Sequence, residues 1–207
     1  MNRTLAVLAV SGLVAGAGLA ISVPASAAGD LSLKGQAGRF VGADYKPVGA
    51  GTTAQASWTN KVTLSGGHSM LLEKAVETSS PSYAAAVVQG AEGMSVGDLG
   101  TMGFAVNGPC TNGSPRFNLY FDTDGDGIAD GIAFYGCGDN VVGTDGGWTS
   151  MSVDPLTDGS GYMFDGTPFA VSAGDTVTSL SVLVDEQGTY YVDDVTVAGQ
   201  TLGEPNA

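Results

Sequence analysis

The sequence predicts an all-β chain, folded as an antiparallel sandwich or barrel. Three observations predict it. Short apolar stretches recur about every 10–15 residues, separated by clusters of Gly, Asp, Ser and Asn, which is the rhythm of strands and turns. Glycine accounts for 33 of the 207 residues, and each interior glycine costs a helix about 1 kcal/mol. Hydrophobic residues make up 43% of the chain, enough to build a core.

Met1–Ala27 reads as a secretory signal peptide. Arg3 is its lone charge, Leu5–Ile21 is uncharged, Pro24 breaks the run, and Ala25-Ser26-Ala27 offers the small residues a signal peptidase accepts. Residues 28–207 are then expected to form one domain, with 28–54 as an irregular N-terminal segment. No second apolar run of that length follows, and Gly203-Glu204-Pro205-Asn206-Ala207 carries no anchoring motif. The expected product is secreted, extracellular, monomeric and not held by a membrane.

Strands are expected near Lys61–Ser65, Ser69–Val76, Tyr83–Gln89, Met102–Asn107, Pro115–Asp122, Gly131–Cys137, Trp148–Val153, Val177–Asp185 and Thr189–Ala198. Turn signals separate them, among them Gly66-Gly67, Asn112-Gly113, Asp145-Gly146-Gly147 and Gln187-Gly188. Ser69–Val76 is rich in Met, Leu, Glu, Lys and Ala, so its composition also suits a short helix.

Two hairpins can be read in detail. In the first, Phe117, Leu119 and Phe121 alternate with Arg116, Asn118, Tyr120 and Asp122, so the apolar set should face the core. If Asp122 pairs near Gly131, then Tyr120 opposes Ala133, Asn118 opposes Tyr135 and Arg116 opposes Cys137. Arg116, Asn118, Tyr120 and Tyr135 would then share one polar-aromatic face, a grouping that a one-residue slip would undo. In the second, Leu180, Val182 and Val184 alternate with Ser179, Ser181 and Leu183. On its return strand, Val195 and Val197 share a phase that Val192 does not. A bulge near Asp193-Asp194 would repair the mismatch.

The most specific motif is the acidic loop Asp122-Thr123-Asp124-Gly125-Asp126-Gly127-Ile128-Ala129-Asp130. Carboxylates at alternate positions can converge on one hard cation, and calcium takes six to eight oxygens. Asp122, Asp124, Asp126 and Asp130 stand at loop positions 1, 3, 5 and 9, with the Ile128 carbonyl at 7. The loop resembles the calcium loops of EF-hands, dockerins and thrombospondin type 3 repeats. It departs from them at position 12, where Ala133 replaces an acidic residue. Asp193 and Asp194 form a second acidic pair and are candidate ligands for a buried structural cation.

With 7 basic against 21 acidic residues and a net charge of -14, the chain lacks the basic surface a nucleic-acid binder needs. Cys110 and Cys137 are its only cysteines, an even count expected to form one disulfide outside the cell. Nucleophilic and zinc chemistry find little support. His68 is the single histidine, and there is no Gly-x-Ser-x-Gly elbow and no zinc-binding His pair. Trp148 shares its phase with Ser150 and Ser152, which suits a platform for stacking on sugar rings. Trp58 reads as core.

Gly66-Gly67-His68-Ser69-Met70-Leu71-Leu72 and the closing Tyr190-Tyr191-Val192-Asp193-Asp194-Val195-Thr196-Val197 resemble the early and final strands of carbohydrate-binding-module-like domains of the galactose-binding-like group. The likeness spans roughly 55–199. It implies a jelly-roll sandwich, a structural calcium held through Asp193 or Asp194, and a glycan bound through aromatic residues on a concave sheet face. The function expected is that of a secreted, non-catalytic β-sandwich that binds polysaccharide and carries structural calcium. In it, Tyr120, Tyr135 and Trp148 stack on sugar rings, while Arg116 and Asn118 bond their hydroxyls. Two other readings stay open: a calcium-stabilised structural or protein-interaction domain without a glycan site, and a polysaccharide hydrolase or lyase on the same scaffold.

Overall fold

The computed structural model describes residues 29–40, 53–77 and 79–203. The expected signal peptide, Met1–Ala27, lies outside them. Its strands are β1 (Ser32–Arg39), β2 (Ala54–Thr59), β3 (Ser69–Lys74), β4 (Ser82–Gln89), β5 (Met102–Asn107), β6 (Arg116–Asp122), β7 (Gly131–Gly136), β8 (Val141–Asp145), β9 (Trp148–Val153), β10 (Ser160–Met163), β11 (Pro168–Phe169), β12 (Thr176–Val184), β13 (Gly188–Val197) and β14 (Gln200–Leu202). One 3-10 turn, Val96–Leu99, is capped by the Ser95 side chain, and the described residues contain no α-helix.

The strands form two antiparallel sheets stacked as a jelly-roll sandwich. The first runs β1-β4-β12-β6-β7-β10-β11, and the second β2-β3-β13-β5-β9-β8 with β14 added beside β13. The core lies between them, built from alternate residues of each strand. Phe117, Leu119 and Phe121 of β6 and Leu180, Val182 and Val184 of β12 face Met102, Phe104 and Val106 of β5 and Tyr190, Val192, Val195 and Val197 of β13. The Phe104 and Phe117 rings meet edge to face at 5.3 Å. Each such side chain contributes about 1.5–3 kcal/mol by leaving water.

The N-terminal segment expected to be irregular contains β1, paired along its whole length with β4. Its sequence hides the strand because, after Leu33, its inward positions are the small residues Gly35 and Ala37. A Cβ on Gly35 would lie 2.9 Å from the Ala56 carbonyl oxygen and 3.2 Å from Met70 Sδ, so close packing of the two sheets requires glycine there. Lys61–Ser65, expected as a strand, is a run of bends. The Leu64 amide donates to Asp193 Oδ2 at 2.8 Å and Ser69 Oγ donates to the Val62 carbonyl at 2.6 Å, bonds a ladder would not leave available. Ser69–Lys74 forms a strand and not a helix, because β2 and β13 hydrogen-bond to its two edges.

The β6–β7 hairpin is displaced by one residue from the expected register. Phe121 opposes Gly131, Tyr120 opposes Ile132, Asn118 opposes Phe134 and Arg116 opposes Gly136. Ala133, Tyr135 and Cys137 therefore point into the core, each 0% exposed. Two features pin this phase. Cys137 bonds Cys110 across a sequence separation of 27, and a Cβ at position 131 would meet the Phe121 ring at 2.6 Å. In the second hairpin the expected bulge is present. The β13–β5 register shifts between Asp193 and Thr196, Asp194 adopts a φ of 48°, and Val192, Val195 and Val197 all reach the core.

Candidate functional site

The outer face of the seven-stranded sheet carries three cross-strand rows. One reads Gln36, Ala85, Leu183, Arg116, Gly136. The next reads Lys34, Val87, Ser181, Asn118, Phe134, Ser160. The third reads Ser179, Tyr120, Ile132, Tyr162, Pro168. Small and medium side chains occupy the middle of this face, Ala85, Ser179 and Ser181 beside Val87 and Leu183, and larger ones flank it. The result is a groove of about 300 Å³ bounded by Tyr83 and Gln36 on one side and Tyr120 and Ala129 on the other. No charged side chain lines it.

Tyr83 is fixed from three directions. Gln36 Nε2 donates to its hydroxyl at 3.0 Å, Phe40 stacks on its ring at 4.9 Å, and Gly38 lies beneath it. A Cβ on Gly38 would be 2.8 Å from the Tyr83 hydroxyl, so glycine lets the ring lie across β1. Burial pushes the Tyr83 hydroxyl above its usual pKa, with the Gln36 bond opposing. Tyr120, half-buried, leans toward Phe164, ring centres 6.2 Å apart. Phe164 and Tyr162 are 46% and 41% exposed and extend the aromatic surface beyond the groove. The Phe164 amide donates to the Asp130 carbonyl at 2.9 Å, which ties this rim to the acidic loop.

Of the residues expected to contact a glycan, Tyr120 alone lines the groove. Arg116 and Asn118 lie on the same face but are committed to the fold. Arg116 Nη1 and Nη2 donate to Asp185 Oδ1 and Oδ2, each at 2.7 Å. Its Nε donates to Asn118 Oδ1 at 2.9 Å, Nη1 also donates to the Gly113 carbonyl, and the guanidinium sits over the Phe134 ring at 5.4 Å. Burial alone would push the Asp185 carboxyl up, but the Arg116 bonds and charge outweigh it and hold the carboxyl below its ordinary pKa. Tyr135 is on the opposite side of the sheet, in the core, and its hydroxyl donates to the Pro155 carbonyl at 2.8 Å. Trp148 keeps the phase of Ser150 and Ser152 but belongs to the other sheet, where it is only 6% exposed. Neither ring can stack on a ligand in this groove.

The sequence reading missed Gln36, Tyr83, Thr178, Tyr162 and Phe164. Its one usable signal was the outward series Ser179, Ser181 in a central strand, where short polar residues leave room above the sheet.

At the β6–β7 tip, Asp122, Asp124 and Asp130 place carboxylate oxygens within 4.8 Å of one another. They are the one such group of three acidic, His or Cys side chains among the described residues. Asp122 accepts from the amides of Asp124, Gly125 and Gly127 at 2.7–3.0 Å, and these bonds, Gly127 first, hold its carboxyl below the usual range. Asp126 is not in the group, and its Oδ1 accepts from the Ile128 amide at 2.7 Å. Asp193 spends both oxygens on amides, Oδ2 on Leu64 and Oδ1 on Asp194, each at 2.8 Å. With Asp194 and His68 it lines a separate hollow of about 230 Å³.

No protein-family model matches the sequence, and no curated protein matches it. Among solved structures the chain is similar to a family 30 carbohydrate binding module, with 15% identity, a TM-score of 0.47, and 84% of this chain and 86% of that one covered. A second family 30 module structure gives 13% identity and a TM-score of 0.44 over 81% and 97%. A xylan-binding domain of family 22 gives 13% and 0.33 over 81% and 89%. Likeness at this level carries no residue role from those proteins to this chain.

Proposed function

We propose that the protein is an exported glycan-binding domain that takes a neutral polysaccharide on the outer face of its seven-stranded sheet. One observation carries this reading. The groove combines a floor of small and aliphatic side chains, tyrosine rings at both sides, and hydroxyl and amide groups, with no charged side chain in its lining. A sugar presents the matching surface, an apolar C–H face for ring stacking and a rim of hydroxyls for neutral hydrogen bonds. The negative charge of the chain and the four carboxylates of the adjoining loop disfavour an anionic polysaccharide. The signal-peptide-like pattern of Met1–Ala27 and the disulfide support a location outside the cell.

We also propose that the β6–β7 tip holds calcium. Three convergent carboxylates are the hard oxygen donors calcium prefers, and Asp122, Asp124 and Asp130 would hold it. The ion would stiffen the loop beside the groove. Asp193 and Asp194 carry no such proposal, because Asp193 already serves the bulge and the Leu64 loop.

Affinity electrophoresis tests the glycan reading, with hydroxyethylcellulose, soluble xylan and mixed-linkage β-glucan set against polygalacturonate. Retardation is expected in at least one neutral gel and not in the acidic one. Tyr120→Ala should weaken it about tenfold, the order of one lost ring contact. Migration unchanged in every neutral gel would overturn the reading.

A further inference from the structure

Strand β12 carries a bulge that brings Val177 into the core together with Leu180, Val182 and Val184. Residues 177 and 179 would share a face in a regular strand. Here Val177 opposes Phe121 and lies in the core, while Ser179 opposes Tyr120 on the outer face, and the register shifts between them. Thr178 is the extra residue, and it lines the groove together with Tyr120 and Ser179. Its Oγ1 is buried and has no hydrogen-bond partner among the described residues.

An unpaired buried hydroxyl is costly, and valine would fill nearly the same volume without that cost. Bulges are favoured where a binding site needs one side chain re-aimed. Val177 and Ser179 would pack as they do with any β-branched residue between them. The hydroxyl is thus the one part of Thr178 that the fold does not explain.

We propose that Thr178 is a specificity-determining residue of the groove, its hydroxyl hydrogen-bonding a sugar hydroxyl beside the Tyr120 ring. This rests on the glycan reading above. Because Oγ1 is buried in the free protein, the bond to the ligand requires a change of the Thr178 χ1 rotamer. The bulge thereby adds a hydrogen-bonding group to a lining that also holds Ala85, Val87, Ser179, Ser181 and Leu183. Its unsatisfied state in the free protein is the kind of stability sacrifice that binding sites retain.

The test uses the full chain and two variants, Thr178→Val and Thr178→Ser. Affinity for hydroxyethylcellulose, soluble xylan and mixed-linkage β-glucan is measured by affinity electrophoresis, and thermal stability by calorimetry. Thr178→Val should bind whichever polymer the wild type binds roughly three- to tenfold more weakly, the worth of one neutral hydrogen bond. Its melting temperature should be unchanged or raised. Thr178→Ser, which restores the hydroxyl, should recover most of the affinity. Equal binding by wild type and Thr178→Val would overturn the proposal while leaving the glycan reading intact. So would a melting temperature several degrees lower in Thr178→Val, since the hydroxyl would then be serving the fold. Failure of the wild type to bind any of the three neutral polymers would remove the glycan reading and this inference together.

Discussion

At the tip of the β6–β7 hairpin, Asp122, Asp124, Asp126 and Asp130 accept hydrogen bonds from groups no more than seven residues away. At the β12–β13 hairpin, Asp185 is bonded to Arg116, 69 residues away, and Asp193 to the Leu64 amide, 129 residues away. The first set closes a loop on itself and would do so wherever the loop were grafted. The second set joins segments that meet only in the finished sandwich. Carboxylates of the same kind therefore do different work, and separation along the chain decides which. Local bonds shape a turn, whereas long-range bonds between partly buried groups fix how the sheets and their covering loops sit together.

The largest effect that separates the two sets is expected at Asp185. Its side chain is 26% exposed and that of Arg116 11%. Asp185→Asn leaves the guanidinium shielded from water without its counter-charge, and should lower unfolding free energy by about 3 kcal/mol in urea denaturation, the low end for breaking a buried pair. Asp126→Asn, at an exposed tip position, should leave the denaturation midpoint unchanged. Similar losses in the two variants would erase the distinction.

A smaller, pH-dependent effect sharpens it. The folded-state pKa of Asp185 is depressed, so its contribution is complete above the unfolded value of about 3.9 and is lost as pH falls through the folded value. The stability gap between wild type and Asp185→Asn should therefore be widest near neutrality and narrow below about pH 4. A gap that stays constant down to pH 2, followed by chemical denaturation, would mean that the ion pair does not stabilise the fold.

The same division explains what was legible in the sequence. Alternation identified the strands with branched and aromatic residues, and the phase conflict among Val192, Val195 and Val197 located the bulge at Asp193-Asp194, since both signals are local. The β6–β7 register was off by one because both phases bury plausible apolar sets. What decides between them, the Cys110–Cys137 bond and the contact of Gly131 with the Phe121 ring, is tertiary. Trp148 shows the same limit, because its phase was legible but its sheet was not. In β1, small inward residues such as Gly35 and Ala37 erase the pattern wherever the sheets approach closely. The groove itself joins Gln36, Tyr83, Tyr120 and Ser179, which four separate strands bring together, and only Tyr120 among them belonged to a motif.

The smallest expected effect concerns the acidic tip, whose motif was the most specific in the sequence. Its loop is already closed by backbone amides, so loss of calcium should loosen the tip without unfolding the sandwich. At about 5 mM calcium and a dissociation constant of about 0.5 mM, within the extracellular range, linkage predicts a stabilisation of about 1.4 kcal/mol. For a domain of this size that is about 3–5 °C in melting temperature. Asp124→Asn keeps an oxygen to accept from the Asp126 amide and removes a charge from the group, so it should abolish most of the calcium shift while melting like the wild type in chelator. If calcium raises the two melting temperatures equally, the ion binds elsewhere or acts through general screening, and the tip is an acidic turn held by its own amides. If the shift belongs to the wild type alone, calcium binding adds a cation-dependent contribution to a loop that the backbone had already closed, and this hairpin differs from β12–β13 in one more way: its carboxylates retain capacity for a partner outside the chain.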